Sequence, residues 1–275
     1  MLWLLYVRRV RGDLRECRGA FVETPWLELN PAFNDAASPG DIRFHSYDEV
    51  RAQRVALAAP RIFKSHSLWD EMPLSDDDEA VNARVKCVTI LRSLYSMPAS
   101  LHNHMRAMTA KSQEYINLPP APADFDTFFD KLFVPILVPK IVAWYAGYWA
   151  RRRHPNLLTL WYEDVVRDMA GAVRRIERHC GWEPIDERTL RERVLPKCTQ
   201  AWMYEHQFDK VLLGITALFR RDGPHRFVRA PRGSADAATA ANKNVLSDAQ
   251  RARLRAALLK DLPLEVVKFA LCEDR

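Results

Sequence analysis

The segment "LLTLWYEDVVRDMAGAVRRIERHCGW", residues 157–182, begins with a short apolar run at 157–162 and continues into a helical pattern at 167–181. Such a run is typical of a buried strand. Two further runs have the same character, RIFK at 61–64 and CVTIL at 87–91. Other helical patterns lie at 2–16, 97–112, 126–152, 186–194 and 247–260. Strands that alternate with helices predict an α/β fold with a central parallel sheet.

The composition is that of a globular chain with a modest basic excess. The sequence has 275 residues, of which 48% are apolar, and a formal net charge of +6. A basic excess suits nucleotides, acidic polymers or membrane surfaces as partners. The sequence has no zinc-finger spacing and no array of arginines and aromatic residues typical of RNA binding, so we expect no nucleic-acid partner.

Cysteine usage and apolar patterning bear on the compartment. Five cysteines, an odd and scattered set without a CxxC motif, favour a reducing compartment, and we expect a cytoplasmic protein without a structural metal. At the N-terminus, MLWLLYVRRVRGDL places apolar residues before basic ones, the reverse of a signal peptide. The segment at 135–153 comes nearest to a membrane span but contains two prolines and a lysine. We therefore expect no transmembrane segment.

The chain shows no internal repeat, and we expect a single domain over residues 1–275. Residues 30–41 and 73–86 are rich in turn-forming residues and predict loops. The stretch at 231–244, PRGSADAATAANKN, consists mainly of small residues. We expect it to be a mobile surface segment.

Polar side chains follow each predicted strand, where ligands bind in parallel sheets. Lys64 and His66 end the first, Arg92 the second and Tyr162 the third. Taken alone, His66 could equally be a structural histidine and Tyr162 a core residue.

Arg92 is followed by a predicted helix start. Ser96 is a candidate N-cap, Pro98 fits the first turn, and Ser100 falls in the same turn. An arginine facing a helix N-terminus with a hydroxyl nearby predicts a phosphate site. A surface arginine beside an ordinary capping serine is the alternative.

Four segments, in order, resemble the cytosolic-type sulfotransferases, which use 3′-phosphoadenosine 5′-phosphosulfate (PAPS). They are ETPWLEL at 23–29, PRIFKSHSLWDEMP at 60–73, VTILRSLYSMPASLHNHM at 88–105, and the stretch at 149–182 that contains the opening segment. The resemblance implies a three-layer P-loop-like fold. It also implies transfer of a sulfuryl group from PAPS to a hydroxyl or amine of a small acceptor, without a metal.

The resemblance also assigns roles to individual residues. His66 is the catalytic base, Lys64 neutralises the departing phosphate, and Arg92 with Ser100 binds the 3′-phosphate. Trp26 lines the acceptor pocket, which suits an apolar alcohol, phenol or amine. The remaining nucleotide contacts are Trp3, Tyr162, Cys198, Thr199, Met203, Phe227 and Arg229. Arg232 is the alternative to Arg229, because Ala230 and Pro231 replace the family's lysine and glycine.

The family's phosphate-binding loop, roughly Tyr-Pro-Lys-Ser-Gly-Thr-Thr-Trp, has no counterpart in this sequence. Trp3 falls on the loop's closing tryptophan, so we expect the first central strand to be absent from the sheet. We also expect the codons upstream of Met1 to encode that strand and loop.

Two other functions stay open at this point. One is a non-catalytic, sulfotransferase-like protein that binds 3′,5′-ADP. The other is a P-loop nucleotide kinase, which the sequence does not favour because it has no Walker lysine. The family's dimerisation motif is not recognisable in KNVLSDAQR at 243–251, so no oligomeric state is predicted.

Overall fold

The computed structural model describes residues 31–32, 43–44, 62–63, 65–71, 85–115, 118–206 and 246–273. The chain divides into two compact units. The first contains Met1–His66, Asn103–Pro120 and Arg188–Ala241. The second contains Ser67–His102, Ala121–Glu187 and Asn242–Arg275.

The strands of the described residues form two pairs. In the first unit, β1 (Pro31–Ala32) and β2 (Arg43–Phe44) are antiparallel. In the second unit, β3 (Cys87–Leu91) and β4 (Leu157–Trp161) are parallel, with Cys87 opposite Leu157 and Leu91 opposite Trp161. The parallel pair places both carboxyl ends at one edge of the sheet.

Two of the three predicted strands are confirmed. β3 has the predicted bounds, and β4 ends one residue early because Tyr162 already begins a helix. The strand expected at 61–64 is wrong at Ile62 and Phe63, which are neither helical nor extended in a ladder, and Phe63 is 37% exposed. An apolar run forms a strand only where another strand pairs with it. Within the described residues β3 and β4 pair only with each other.

Helices account for most of the remaining described residues. The longer ones are α1 (Met97–Ala107), α2 (Ala110–Tyr115), α3 (Phe125–Ala150), α4 (Tyr162–Arg167), α5 (Met169–Cys180), α6 (Gln200–His206), α7 (Asp248–Leu258) and α8 (Leu264–Leu271). Short helical turns lie at Trp69–Glu71, Glu187–Thr189, Leu190–Val194 and Leu195–Cys198.

The predicted helix at 97–112 is divided into α1 and α2. The Thr109 hydroxyl accepts a hydrogen bond from the Ser112 N–H at 3.2 Å, so Thr109 caps the start of α2. The Gln113 amide donates to the Met105 carbonyl at 2.7 Å and ties the two helices together within the first unit. The local capping preference of Thr109 therefore interrupts an otherwise continuous pattern.

Both ends of α5 are fixed by side-chain and backbone chemistry. The Asp168 carboxylate accepts from the Gly171 N–H at 2.8 Å at the start. At the end, Gly181 has a left-handed φ of 63°, and the Trp182 N–H donates to the Glu177 carbonyl at 2.8 Å. This arrangement is a Schellman motif, which explains why the helix predicted at 167–181 ends where it does.

Helix α3 lies within two residues of the helix predicted at 126–152. By length and composition alone, its 26 residues could cross a membrane, so the expectation that no segment would qualify is wrong on that criterion. Pro135 lies in a π-helical section, Phe129–Leu137. The helix buries Phe128, Phe129, Phe133, Tyr145 and Tyr148 and packs against α7 and α8 within the second unit. These contacts attach α3 to the core of the second unit.

The C-terminal part of the chain contains one helix that was predicted and one that was missed. Ser247 and Gln250 form a reciprocal capping box, which starts α7 close to the predicted 247. Helix α8 was not predicted. Its ring contacts, Phe269 with Trp149 at 4.7 Å and with Trp161 at 4.9 Å, attach it to α3 and to the end of β4.

Candidate active site

The candidate site begins where the two parallel strands end. Leu91 and Trp161 are the last paired residues of β3 and β4. Arg92 and Tyr162, which directly follow them, are therefore neighbours. The Arg92 guanidinium lies over the Tyr162 ring, with its central carbon 4.6 Å from the ring centroid. This geometry is that of a cation–π contact.

Two serine hydroxyls also hold the Arg92 side chain. Nε donates to Ser96 Oγ at 2.8 Å, and Nη1 donates to Ser100 Oγ at 3.0 Å. The predicted residues Arg92, Ser100 and Tyr162 are thus brought together in one place. Within the described part of the chain Arg92 forms no direct ion pair with a carboxylate.

A tight turn leads from Arg92 into α1. The N–H groups of Ser96 and Met97 donate to the Ser93 carbonyl at 2.9 and 3.2 Å. Helix α1 begins at Met97, directly after Ser96, and Pro98 lies in its first turn, in agreement with the prediction. The N-terminus of a helix carries unpaired N–H groups and a partial positive charge. The cluster therefore combines an arginine, a hydroxyl and a helix N-terminus.

The Glu163 carboxylate bonds to the backbone of this turn. Its Oε1 accepts from the Ser93 N–H at 3.2 Å and lies 3.4 Å from Ser96 Oγ. The Ser96 hydroxyl also lies 3.0 Å from the Ser93 carbonyl, so the two acceptors share its single hydrogen. Glu163 joins the residues after β4 to the turn after β3.

Tyr145, a fully buried residue of α3, contacts the backbone of Arg92. Its hydroxyl donates to the Arg92 carbonyl and accepts from the Arg92 N–H at 3.3 Å. Burial raises the pKa of Tyr145, so the phenol remains protonated and able to donate. The first residue after β3 is therefore held by a side chain from another element.

The end of α8 also contacts the turn after Arg92. The Leu94 N–H donates to the Ala270 carbonyl at 3.0 Å, and the Ser93 hydroxyl donates to the Leu271 carbonyl at 2.9 Å. The Tyr95 hydroxyl donates to Glu273 at 2.9 Å. Burial and this bond to Glu273 raise the pKa of Tyr95. These bonds satisfy carbonyls at the end of α8 and fix the turn.

The sequence did not single out Tyr145 or the role of Glu163 at the turn. A detectable signal for Tyr145 is a tyrosine on the buried face of a helix, because a buried phenol requires a hydrogen-bond partner. For Glu163 the signal is its position directly after Tyr162. Neither signal identifies the partner, which depends on how β3, β4 and α3 pack.

His66 belongs to the first unit, where it is exposed and lies outside regular secondary structure. Lys64 lies outside the described residues, so its place beside His66 stays a prediction. His102 is a packing residue: it is buried, its Nε2 lies 2.8 Å from the Pro122 carbonyl, and its ring contacts Phe128 at 4.8 Å.

Three other predicted nucleotide contacts lie together in the first unit. Cys198 is buried, and burial raises the pKa of its thiol. Thr199 caps α6, because its hydroxyl accepts from the Trp202 N–H at 3.2 Å. Met203 follows on α6 and is 37% exposed. Trp3, Trp26, Phe227, Arg229 and Arg232 lie outside the described residues.

A cavity of about 370 Å³ lies beside β4, α4 and α5 in the second unit. Its charged lining residues are Asp164, Arg167, Asp168, Arg174, Arg175 and Arg178. Much of this charge is paired locally: Arg167 with Asp164 at 2.6 Å, and Arg174 with Glu177 at 2.8 Å. The strand-end cluster, which consists of Arg92, Ser96, Ser100 and Tyr162, does not line this cavity.

Chemically, the strand-end cluster can bind a phosphate group. The guanidinium offers directed N–H donors and a full charge, and Ser100 offers a hydroxyl. Tyr162, which is 43% exposed, offers a ring face to a base.

Comparison with known proteins identifies the family. Residues 1–213 match the family model described as the sulfotransferase domain. A search of curated protein sequences gave no match.

Similar solved structures include mouse sulfotransferase SULT7A1 complexed with PAP, at a TM-score of 0.56 and 13% identity. That match covers 83% of this chain and 74% of the other. Retinol dehydratase with androsterone and the inactive cofactor PAP matches at a TM-score of 0.52 and 18% identity, over 76% of this chain. A second retinol dehydratase complex, with retinol and PAP, matches at a TM-score of 0.53 and 19% identity, over 78% of this chain. The chain spans 57% and 58% of the retinol dehydratase chains, which is less than two thirds. The predicted α/β fold of this family is confirmed.

Proposed function

Because the chain belongs to the sulfotransferase family, we propose that it transfers a sulfuryl group from PAPS to a hydroxyl or amine of a small acceptor. The observation that carries the proposal is the contact set of Arg92 with Ser96, Ser100 and Tyr162. PAPS differs from common adenosine nucleotides in its 3′-phosphate, and a donor enzyme must recognise that group.

Arg92 and Ser100 are proposed to bind the 3′-phosphate. The two serine hydroxyls pre-orient the guanidinium, so little side-chain entropy is lost when an anion binds. Its remaining N–H donors and the N-terminus of α1 then complement the phosphate charge. In the same proposal, Tyr162 lies against the adenosine moiety, and Cys198, Thr199 and Met203 contribute nucleotide contacts.

The chemical step is proposed to use His66 and Lys64. The acceptor oxygen or nitrogen forms a bond to sulfur while the bond from sulfur to the bridging oxygen of PAPS breaks. The electron pair remains on the 5′-phosphate of the product, 3′,5′-ADP, where Lys64 neutralises the developing charge. His66 takes the acceptor proton. Positioned cations and one base are sufficient for this step.

The acceptor is proposed to be a small, largely apolar alcohol, phenol or amine lying against Trp26. Two of the similar structures contain such molecules, since retinol dehydratase is bound to retinol in one and to androsterone in the other. This likeness supports a class of acceptor and not an identity.

A cytoplasmic location and a single sulfotransferase-type domain are also proposed. Cys87, Cys180 and Cys198 are free thiols, as is typical of a reducing compartment. The family match runs through segments of both compact units, which supports one domain.

The 3′-phosphate site is tested with Arg92→Ala and two nucleotides. Calorimetry should show that the variant loses affinity for 3′,5′-ADP by roughly 1.5–3 kcal/mol, the range of a charge-assisted contact. Its affinity for 5′-AMP, which lacks the 3′-phosphate, should change little. Equal losses for both ligands would refute the assignment.

Arg152→Ala is a matched control for the loss of charge. Arg152 also lies over an aromatic ring, that of Trp149 at 3.8 Å, and donates to a nearby carbonyl at 2.8 Å. It follows α3 and is not part of the strand-end cluster. The control should retain the wild-type preference for 3′,5′-ADP over 5′-AMP.

A transfer assay separates an enzyme from a non-catalytic nucleotide-binding protein. It measures the transfer of sulfate from PAPS to a panel of phenols, alcohols and amines.

A further inference from the structure

Helix α3 presents two buried phenols, Tyr145 and Tyr148, to opposite ends of β3. The Tyr145 hydroxyl bonds both the N–H and the carbonyl of Arg92, the residue that follows the strand. Tyr148 packs in one buried cluster with Cys87, the first residue of the strand. Both side chains are at most 5% exposed.

We propose that Tyr145 is a positioning residue for the 3′-phosphate site: its phenol fixes the backbone of Arg92 and so aims the guanidinium at the ligand. The inference rests on the proposed function and extends it to a residue that does not touch the nucleotide.

The geometry supports this role because Arg92 lies just beyond the last ladder pair, Leu91 opposite Trp161. A residue at that position is not held by the ladder bonds that align β3 with β4. The phenol contacts both polar groups of Arg92, one on each side of its Cα. Holding both fixes the orientation of the adjoining peptide planes and therefore the direction of the Cα–Cβ bond.

The direction of that bond decides whether the side chain reaches its partners. The Arg92 guanidinium must meet Ser96 Oγ and Ser100 Oγ at 2.8 and 3.0 Å while it lies over Tyr162. A small rotation at the Cα of a long side chain moves its end by more than a hydrogen bond tolerates. The Tyr145 ring itself is held by the core, since it is fully buried and contacts Trp144 at 5.6 Å.

Tyr145→Phe tests the inference, because it removes the hydroxyl and keeps the ring. Calorimetry of the full chain should show an affinity for 3′,5′-ADP reduced by about five- to tenfold, the size of a net hydrogen bond lost between tightly held groups. The affinity for 5′-AMP should stay near that of the wild type. The measured quantity is thus the ratio of the two affinities, which a general loss of stability does not change.

Tyr148→Phe is the matched control. It deletes a buried hydroxyl from the same helix, beside the same strand, and should lower the melting temperature comparably. It should leave the affinity ratio unchanged. If Tyr145→Phe is poorly folded, the same titrations in sucrose, which stabilises compact states, keep the ratio measurable.

A double-mutant cycle completes the test. In an Arg92→Ala background, Tyr145→Phe should not change the ratio further, since its effect passes through the guanidinium. If Tyr145→Phe keeps the wild-type ratio of the two affinities, or if Tyr148→Phe changes that ratio as much as Tyr145→Phe does, the inference about Tyr145 is wrong and the proposed function still stands. A wild-type chain without a preference for 3′,5′-ADP overturns the proposed function as well.

Discussion

Arg92 combines contacts that are common separately. Arginines often lie over aromatic rings, and serines often precede helices. At Arg92 two hydroxyls, one ring and one buried phenol contact a single residue. The effect is to hold a cation in a defined direction, with no direct ion pair among the described residues, and this arrangement suits an anion site.

His66 can be tested separately from the nucleotide site. If it is the base, His66→Ala should lower the rate of sulfate transfer from PAPS by roughly 10²–10⁴-fold. Its affinity for 3′,5′-ADP should remain near that of the wild type, because in that role the imidazole would face the acceptor and not the nucleotide. The measurement is initial rate beside calorimetric binding.

His104→Ala is the control, since that histidine lies on α1 and has no proposed role in the transfer step. Near-normal turnover in His66→Ala would show that His66 is structural. Lys64→Ala should lower turnover and also weaken binding of the sulfated donor.

The secondary structure could be predicted where local chemistry decides it. β3, β4 and α5 lie within two residues of the prediction because short apolar runs and strong caps define them. Helix α8 was missed because Val266, Val267, Ala270 and Leu271 become a core face only when α3 and β4 lie beside them. Ile62 and Phe63 show the converse, since apolar character alone did not make them a strand.

Gly181 is required by the end of α5. Its φ of 63° is left-handed, so Gly181→Ala should lower the free energy of unfolding by about 1–2 kcal/mol, the cost of that conformation for an L-residue. Urea denaturation measures the change.

Gly147→Ala is the paired control. An added Cβ there would lie 3.5 Å from the Trp69 Cβ, an ordinary contact, within the helical section Val138–Ala150. This variant should be neutral or more stable by up to about 1 kcal/mol, because alanine is the better helix former. A similar loss in both variants would contradict the capping argument.

His179 gives the second unit a pH dependence. Its Nε2 lies 3.1 Å from the Cys87 carbonyl and 3.2 Å from the Asn156 carbonyl, so it joins α5 to both strands' N-terminal ends. Burial lowers the pKa of His179 from its ordinary value of 6.5. Lys86 acts in the same direction, and the two carbonyls oppose it. The folded chain therefore binds fewer protons than the unfolded chain just below that pH, and the free energy of unfolding should fall as the pH is lowered through this range.

Urea denaturation at about pH 7.5 and about pH 5.5, on either side of the ordinary pKa of histidine, measures this effect. His179→Gln, which retains an N–H donor and cannot titrate, should show a smaller difference between the two conditions. An unchanged difference would assign the pH dependence to other groups.

For the chain as a whole, the order of four motifs was sufficient to predict the family and the α/β fold, which the family match and the similar structures confirm. The grouping of Arg92, Ser100 and Tyr162 followed from the rule that parallel strands end at one edge. The contacts of Tyr145, Glu163 and α8 could not be predicted, because each joins residues about 50 to 180 positions apart whose proximity depends on packing. The roles of Lys64 and the other predicted residues outside the described part stay predictions.

The response to metal removal distinguishes the proposed reaction from nucleotide phosphorylation. A nucleotide kinase needs magnesium to bridge the phosphates of its donor, whereas the step proposed for this chain uses Lys64 and His66 alone. 3′,5′-ADP at about a hundred times its dissociation constant should raise the free energy of unfolding by about 2.7 kcal/mol. The increase should be the same in EDTA as in magnesium, and sulfate transfer should likewise be unaffected. Thermal unfolding and the transfer assay, each run in both buffers, measure this. Magnesium-dependent transfer of phosphate between nucleotides, with no transfer from PAPS, would replace the proposed function with that of a kinase.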